Sequence, residues 1–524
     1  MLALDWFSLL LIFATSISYP FGMKNTAQSF LVVTVFSVAT RLASFIFKMW
    51  MSHSLGAQIV GEYQIALSVL LMLFTITAGA PTVLSRKIAE LGVTGDTKRQ
   101  NGLLAASVIM GLCVSAAICA TLYAIGDKLS FLFSNPSSMP LFFIMLPTLV
   151  TSTLYASLRS WFWGRKKFVA FSSTELVDEI VKIILSIVFA GGYVASISGA
   201  RGIALAMTVS DAFCVLVLVA IFFATGGRLA KPCGFKDLTK GTIPLSMTRI
   251  ITSLGASLTA FVIPQMLVKS GLSVADATAE YGRVAGMALP LIMAPVTFIS
   301  ALAVVLIPDV ASLRSQGDTQ ALRAKLSSCV TFAMVIACFF FSVYLPLGFA
   351  LGKLLFADEK AGAFVSYCSM MLFPIAAAQA TTPMLNSLGK EKNTLLHTLI
   401  GALAMIPCIV FMPKYIGIYA MALASGLCFL IIAIANFIVL KKEVGSFFDG
   451  KKVCVLTLLC VLLSVGATFL ARILRAYAND LTAIIVVGVY VSFLFFVAAN
   501  AFDVIDVVGY LRLLAPKRAK IGKK

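Results

Sequence analysis

The sequence predicts an all-α polytopic membrane protein of about fourteen transmembrane helices, arranged as two six-helix repeats followed by two C-terminal helices. Three observations carry that prediction. The 524-residue chain is 60% hydrophobic and only 12% charged, with a mean hydropathy of +1.00. Apolar runs of about 20 residues recur along it, each long enough to cross a ~30 Å hydrocarbon core as a helix. Basic residues concentrate in alternate turns between those runs, as the positive-inside bias requires.

Read from Met23, the spans fall near 28–50, 59–82, 102–125, 140–161, 174–193, 201–225, 242–268, 282–309, 329–352, 363–386, 395–412, 415–440, 453–473 and 481–502. The even-to-odd turns hold Arg86, Lys87, Lys98 and Arg99, then Arg165, Lys166 and Lys167, and later Arg228, Lys231, Lys236 and Lys240. The same series continues with Arg314, Arg323 and Lys325, then Lys390 and Lys392, Lys441 and Lys442, Lys451 and Lys452. The odd-to-even turns are sparser in cations: Lys128, Arg201, Lys269, Lys353, Lys360, Lys414, Arg472 and Arg475. Both termini are therefore expected in the cytoplasm of a bacterial cell whose inner membrane the chain spans. The net charge of +19 is explained by this bias and by a basic tail lying against anionic lipid, so nucleic acid is not expected as a partner. Residues 1–23 lack the basic region and small-residue cleavage site of a signal peptide. Met23 reads as the better start, with an extra helix as the alternative.

An internal repeat runs through the first twelve spans. Pro81-Thr-Val-Leu-Ser-Arg86 is echoed by Pro308-Asp-Val-Ala-Ser-Leu-Arg314, and Gly95-Asp-Thr97 by Gly317-Asp-Thr319. Gly164-Arg-Lys-Lys167 is echoed by Gly389-Lys-Glu-Lys392, and Glu62-Tyr63 by Glu280-Tyr281. The expected divisions are 24–228 for the first lobe, 229–441 for the second, and 442–524 for the last two helices and tail. An even number of spans per unit relates the lobes by an axis along the membrane normal, the arrangement in which transporters keep a central substrate site.

Enzyme signatures are weak. Two histidines, His53 in the first external turn and His397 at the start of the eleventh span, lack metal-binding neighbours. No Walker loop occurs, the eleven cysteines form no CxxC pair, and no cofactor or metal is expected. The sharper signal is intramembrane cations: Arg41, Lys48, Arg249 and Arg283. Arg41 and Lys48 are two helical turns apart and share a face. A cation at the bilayer centre costs roughly 2.5–3.5 kcal/mol on insertion scales, so such residues face water or an anion. Arginine favours bidentate phosphate recognition, and together these groups suit a pyrophosphate. Carboxylates at Glu62, Glu175, Asp178, Glu179 and Asp211 are candidates for a coupling ion or for sugar hydroxyls. Asp178 and Lys182 are spaced for an i,i+4 pair, whereas Asp211 has no neighbouring cation in sequence. Gly282-Arg-Val-Ala-Gly286 permits close helix contact.

The stretches Ala39-Thr-Arg41-Leu-Ala-Ser-Phe-Ile-Phe-Lys48, Gly61-Glu-Tyr63, Ala78-Gly-Ala-Pro81-Thr-Val-Leu-Ser-Arg-Lys-Ile-Ala-Glu90, Ile243-Pro-Leu-Ser-Met-Thr-Arg249, Tyr281-Gly-Arg-Val-Ala-Gly286 and Leu385-Asn-Ser-Leu-Gly389 carry a resemblance. Taken in order they resemble the polysaccharide-transporter branch of the multidrug/oligosaccharidyl-lipid/polysaccharide exporter superfamily, above all its stage V sporulation protein B group and the related MurJ-type lipid II flippases. The resemblance implies two lobes opening alternately to each side, a cationic cavity in which Arg41 and Arg249 face the substrate, and a lipid-tail groove on the last two helices. It implies transport of an undecaprenyl-pyrophosphate-linked saccharide, lipid II first, with membrane lipids, a coupling ion and cell-wall synthesis proteins as partners. Capsule, O-antigen or teichuronic-type units are the alternative cargo, and cation-coupled drug export is the alternative activity. His53 departs from the pattern, because MurJ-type proteins often carry arginine in that turn.

Overall fold

The computed structural model describes residues 26–193, 199–300, 310, 313–314, 316–447, 450–477 and 479–501. The expected extension at 1–23, the Pro308 end of the eighth span and the basic tail beyond 501 lie outside these residues. Every described element is helical, and fourteen helical segments follow the expected spans in order.

One helical stretch, Thr26–Thr77, breaks at Gly56 into α1 (26–55) and α2 (57–77). Gly56 has φ 78° and ψ 170°, a conformation open to glycine but not to a residue with a Cβ. The turn between the first two spans is thus a single residue, and His53 lies exposed within α1 instead of in a loop. Past Ala78 the chain continues as the helix Gly79–Thr94, which ends on left-handed Gly95. Next come α3 (Thr97–Ile125), α4 (Ser138–Met145 and Thr148–Gly164, bent by 40°), α5 (Phe168–Ala190), α6 (Gly199–Ala224) and α7 (Phe235–Lys269). Helix α8 begins at Val274–Tyr281, turns π-helical over Gly282–Ala288 and resumes at Leu289–Met293. The remainder are α9 (Thr319–Phe356), α10 (Glu359–Cys368 and Leu372–Ser387), α11 (Glu391–Phe411), α12 (Ala420–Val444), α13 (Gly450–Tyr477) and α14 (Asp480–Ala501).

Among the described residues nine helices, or ten with bent α4 counted as one, are long and apolar enough to cross a membrane unaided. Helix α5 falls short of that standard because Glu175, Asp178, Glu179 and Lys182 crowd its middle.

The chain packs as two compact units, Met1–Gly286 and Met287–Lys524. The division falls inside the π-helical stretch of α8. Helix α7 and the start of α8 therefore pack in the first unit, against α2 and the Gly79–Thr94 helix, beyond the repeat boundary near 228. A seam of small residues makes this close. A Cβ on Gly61 would lie 2.0 Å from the Thr278 carbonyl oxygen, one on Gly282 2.2 Å from that of Ala57, and one on Gly286 2.2 Å from Val60 Cγ1. The Gly282–Gly286 spacing is thus used for close contact with α2, against backbone at Gly282 and against the Val60 side chain at Gly286. The aromatic heart of the first unit is Trp161, Phe162, Phe171 and Phe222, packed on Leu84, Ile88 and Leu103. In the second unit Leu459, Leu463 and Phe495 of α13 and α14 close on Val335 of α9.

Candidate functional site

The first unit holds a charged cluster within its helices, on α1, α4, α5 and α6. Glu179 and Lys182, 8% and 17% exposed, form an ion pair at 2.5 Å. The Lys182 ammonium also lies 5.7 Å from the centre of the Phe47 ring. Glu179 and Lys182 are both within electrostatic reach of Lys48 on α1. Glu175 pairs with Arg159 of α4 at 2.7 Å. Asp211 of α6 accepts a hydrogen bond from the Thr151 hydroxyl. Asp211 also feels the charges of Asp178 and Lys182, so the cation missing from its sequence neighbourhood is supplied across the α5–α6 interface.

Asp178 does not form the i,i+4 pair that its spacing suggests. Lys182 goes to Glu179, one position on, and Asp178 instead faces Ser210 and Cys214 of α6. The Ser210 hydroxyl donates to the Met207 carbonyl and the Cys214 thiol to that of Thr174. Asp178 Oδ1 is buried with no hydrogen-bond donor among the described residues. A buried carboxylate oxygen in that state costs free energy that a proton or a cation would offset.

The four cations expected within the membrane have different surroundings. Arg41 is exposed on α1 beside the outward apolar residues Val38 and Leu42, with no ion pair or hydrogen bond from its side chain among the described residues. Lys48 is partly buried and turned toward the α5 cluster. Arg249 on α7 donates to the Ala78 carbonyl at 3.1 Å and to Thr82 Oγ1 at 2.9 Å, tying α7 to the start of the Gly79–Thr94 helix. Arg283 pairs with Glu280 at 2.9 Å. Glu62 accepts from Gln58 at 3.1 Å and from Asn135 at 3.3 Å, and Asn135 also reaches Thr278 of α8. Glu62 thus serves the α2–α8 contact through Asn135 and Arg283 pairs within α8, whereas Arg41 is held by nothing described.

Two arrangements escaped sequence reasoning. Arg159 neutralises Glu175 from another helix, a pairing that no local spacing encodes. In the second unit the buried His397 Nδ1 lies 2.7 Å from Asn436 Oδ1, and Asn436 Nδ2 donates to the hydroxyls of Thr381 and Thr382 at 3.1 and 3.0 Å. Because the amide nitrogen is committed to the threonines, the oxygen accepts, and His397 must carry its proton on Nδ1. All eleven cysteines are free thiols.

The family model described as "Polysaccharide biosynthesis protein" matches residues 26–314, more than half of the chain. Stage V sporulation protein B of Bacillus subtilis (strain 168) is 21% identical over 411 residues, covering 72% of this chain and 76% of its own length. Among solved structures, the lipid II flippase MurJ in an inward closed conformation superposes with a TM-score of 0.72 at 12% identity, covering 92% of this chain and 100% of the other. An inward-facing multidrug resistance MATE family transporter of the MOP superfamily gives 0.67 at 14% identity, over 83% and 98% respectively. At such identities the structural likeness establishes the fold.

Proposed function

The chain belongs to the polysaccharide biosynthesis protein family, and on that premise we propose that it is a flippase for an undecaprenyl-pyrophosphate-linked saccharide, with lipid II the first candidate. The observation that carries the reading is Arg41, an intramembrane guanidinium without a countercharge among the described residues. Leaving it so is costly at membrane depth, and a pyrophosphate offers the bidentate oxygens that would offset the cost. In this reading the headgroup enters from the cytoplasmic face of a bacterial inner membrane and pairs with Arg41, with Lys48 and Arg249 alongside, and alternating access releases it outside. The polyprenyl tail stays in lipid. A ligand drives such a cycle only by binding the two states differently, so the Arg41 contact must be made in one and lost in the other. Membrane potential contributes about 2.3 kcal/mol per charge per 100 mV toward resetting the carrier.

A second reading, cation-coupled export of organic cations, is favoured by the bare Asp178 Oδ1 and the acid-rich cluster around Lys182. The two separate in one experiment. Bacteria depleted of their own flippase are supplied with this chain, and lipid II is measured at the outer surface beside resistance to cationic drugs. The flippase reading expects rescue by the wild type and failure of Arg41→Ala at matched expression. Rescue by Arg41→Ala as complete as wild type would sink the pyrophosphate contact. Drug resistance that survives Arg41→Ala but not Asp178→Asn would establish the exporter. Wild-type failure on lipid II with rescue of a capsule-type glycan would move the cargo and keep the mechanism.

A further inference from the structure

The two sequence repeats end their fourth and tenth helices in the same backbone motif, and the comparison exposes a difference in charge. After α4, Lys166 is left-handed (φ 57°), with Lys166 N bonded to Trp163 O and Lys167 N to Phe162 O, both at 2.9 Å. After α10, Gly389 takes the same place (φ 72°), with Gly389 N bonded to Asn386 O and Lys390 N to Leu385 O, both at 3.0 Å. Lys167 therefore corresponds to Lys390, two residues before the Lys392 with which the sequence echo aligns it, because the left-handed positions that match are Lys166 and Gly389. Helices α6 and α12 each end on a glycine of positive φ, Gly226 (φ 86°) and Gly445 (φ 83°), although the closing bonds differ, Gly226 N going to Phe223 O and Gly445 N to Lys441 O; aligned on these glycines, Ala224 stands against Glu443 and Thr225 against Val444.

In the second unit the notch between these ends is filled by a carboxylate of the chain itself. Lys390 Nζ meets Glu443 at 2.6 Å, and Arg314 reaches the same carboxylate at 3.6 Å. In the first unit Ala224 has no charge to give. Lys167 Nζ settles for the Thr225 carbonyl at 3.2 Å and lies 5.9 Å from the centre of the Trp161 ring. Arg165 stands over that ring at 4.2 Å and gives its Nε to Gln100 Oε1 at 2.9 Å. Gln100 cannot turn away, since its amide nitrogen is bound to the Ile88 carbonyl at 3.1 Å. Two cations thus converge on one buried tryptophan with only neutral acceptors, and neither has a carboxylate partner among the described residues. Burial disfavours the charge on both, and Arg165 disfavours it further on Lys167. Helix α5 opens above them with no acidic residue in its first turn, whereas α11 has Glu391 there.

The geometry points to an anion site in the first unit, formed by Arg165 and Lys167 against Trp161, that takes the phosphate of an anionic lipid where the second unit uses Glu443. A lipid fits better than a soluble anion because the rim is apolar and outward: Trp163 is 45% exposed and Phe223 49%. Tryptophan at this position suits headgroup depth, and the basic turns face the leaflet that carries anionic lipid when the positive-inside bias holds. The site is independent of the proposed cargo, since it needs no flipping.

The repeat comparison supplies its own test. The full chain is purified in mild detergent, and native mass spectrometry counts retained phosphatidylglycerol against phosphatidylcholine for the wild type, Ala224→Glu, Ala224→Gln and Glu443→Ala. Ala224 is exposed, so either replacement has room. Ala224→Glu should install the missing countercharge and weaken phosphatidylglycerol retention by about tenfold, the scale of one charge-assisted contact, while Ala224→Gln retains it as wild type does. Glu443→Ala should free Lys390 and add a second retained lipid. Equal retention by the wild type and Ala224→Glu would overturn the proposal, as would equal loss in the Glu and Gln variants. Saturation by inorganic phosphate, with phosphatidylglycerol adding nothing, would overturn the lipid assignment.

Discussion

Replacing Gly282 by alanine should destabilise the first unit, and the structure sets the size of the effect. The new Cβ would stand 2.2 Å from the Ala57 carbonyl oxygen and 2.6 Å from Gly61 N, both backbone atoms that no rotamer change can move. Relief requires α2 and α8 to part by about 1 Å, and a gap of that size forfeits roughly a quarter to a half of each dispersion contact along the seam. Overpacking of this kind costs about 1–3 kcal/mol, against a helix-propensity gain of about 1 kcal/mol for replacing glycine. With backbone on both sides, the net should fall in the upper part of that range, near 2 kcal/mol. At about 2–4 °C per kcal/mol for a body of this size, the unfolding midpoint should drop by roughly 4–8 °C. The assay is thermal unfolding in one mild detergent at a fixed scan rate, because membrane-protein midpoints depend on rate. Gly488→Ala in α14 is the control, since its Cβ would meet nothing within 4 Å. A Gly282→Ala midpoint equal to that of Gly488→Ala would refute the seam.

Other perturbations follow from the same structure. Arg41→Ala touches no described contact, so it should leave the unfolding midpoint unchanged while abolishing lipid II rescue; Arg249→Ala should lower both, because it also removes the bonds to Ala78 and Thr82. Lys182→Met strands Glu179 in a buried place and should cost about 3–5 kcal/mol, most of which Glu179→Gln should restore in the double variant by the same unfolding assay. Asn436→Leu leaves His397 without its acceptor and should cost about 1–3 kcal/mol in denaturant titration, with Thr382→Val costing less because the Asn436 amide keeps Thr381.

Much of the fold is legible in the sequence because burial in lipid imposes one demand on every span, and the apolar runs meet it one after another. The site is less legible, for reasons particular residues make plain. Helix spacing allows Lys182 to meet either Asp178 or Glu179; only the packed structure shows that it pairs with Glu179 while Asp178 faces Ser210 and Cys214 of α6. Arg249 can be seen as an intramembrane cation, but its bond to the Ala78 carbonyl joins residues far apart in the chain. The short turn at Gly56 is hidden because a single left-handed glycine does what a loop was expected to do. The asymmetry of the repeats, in contrast, is present in the letters: Ala224 and Glu443 each stand two residues before a glycine, and the positive φ of Gly226 and Gly445 is what aligns them.

The seam among Ala57, Gly61 and Gly282 also orders events during synthesis. Helix α2 emerges more than two hundred residues ahead of the glycine that completes its face. Until α8 is translated, that surface has no partner from its own polypeptide and must be covered by lipid or by the insertion machinery. The first packed body is therefore finished at Gly286 and not at the end of its own repeat, so a nascent chain halted after six helices would sit in the membrane with an open flank.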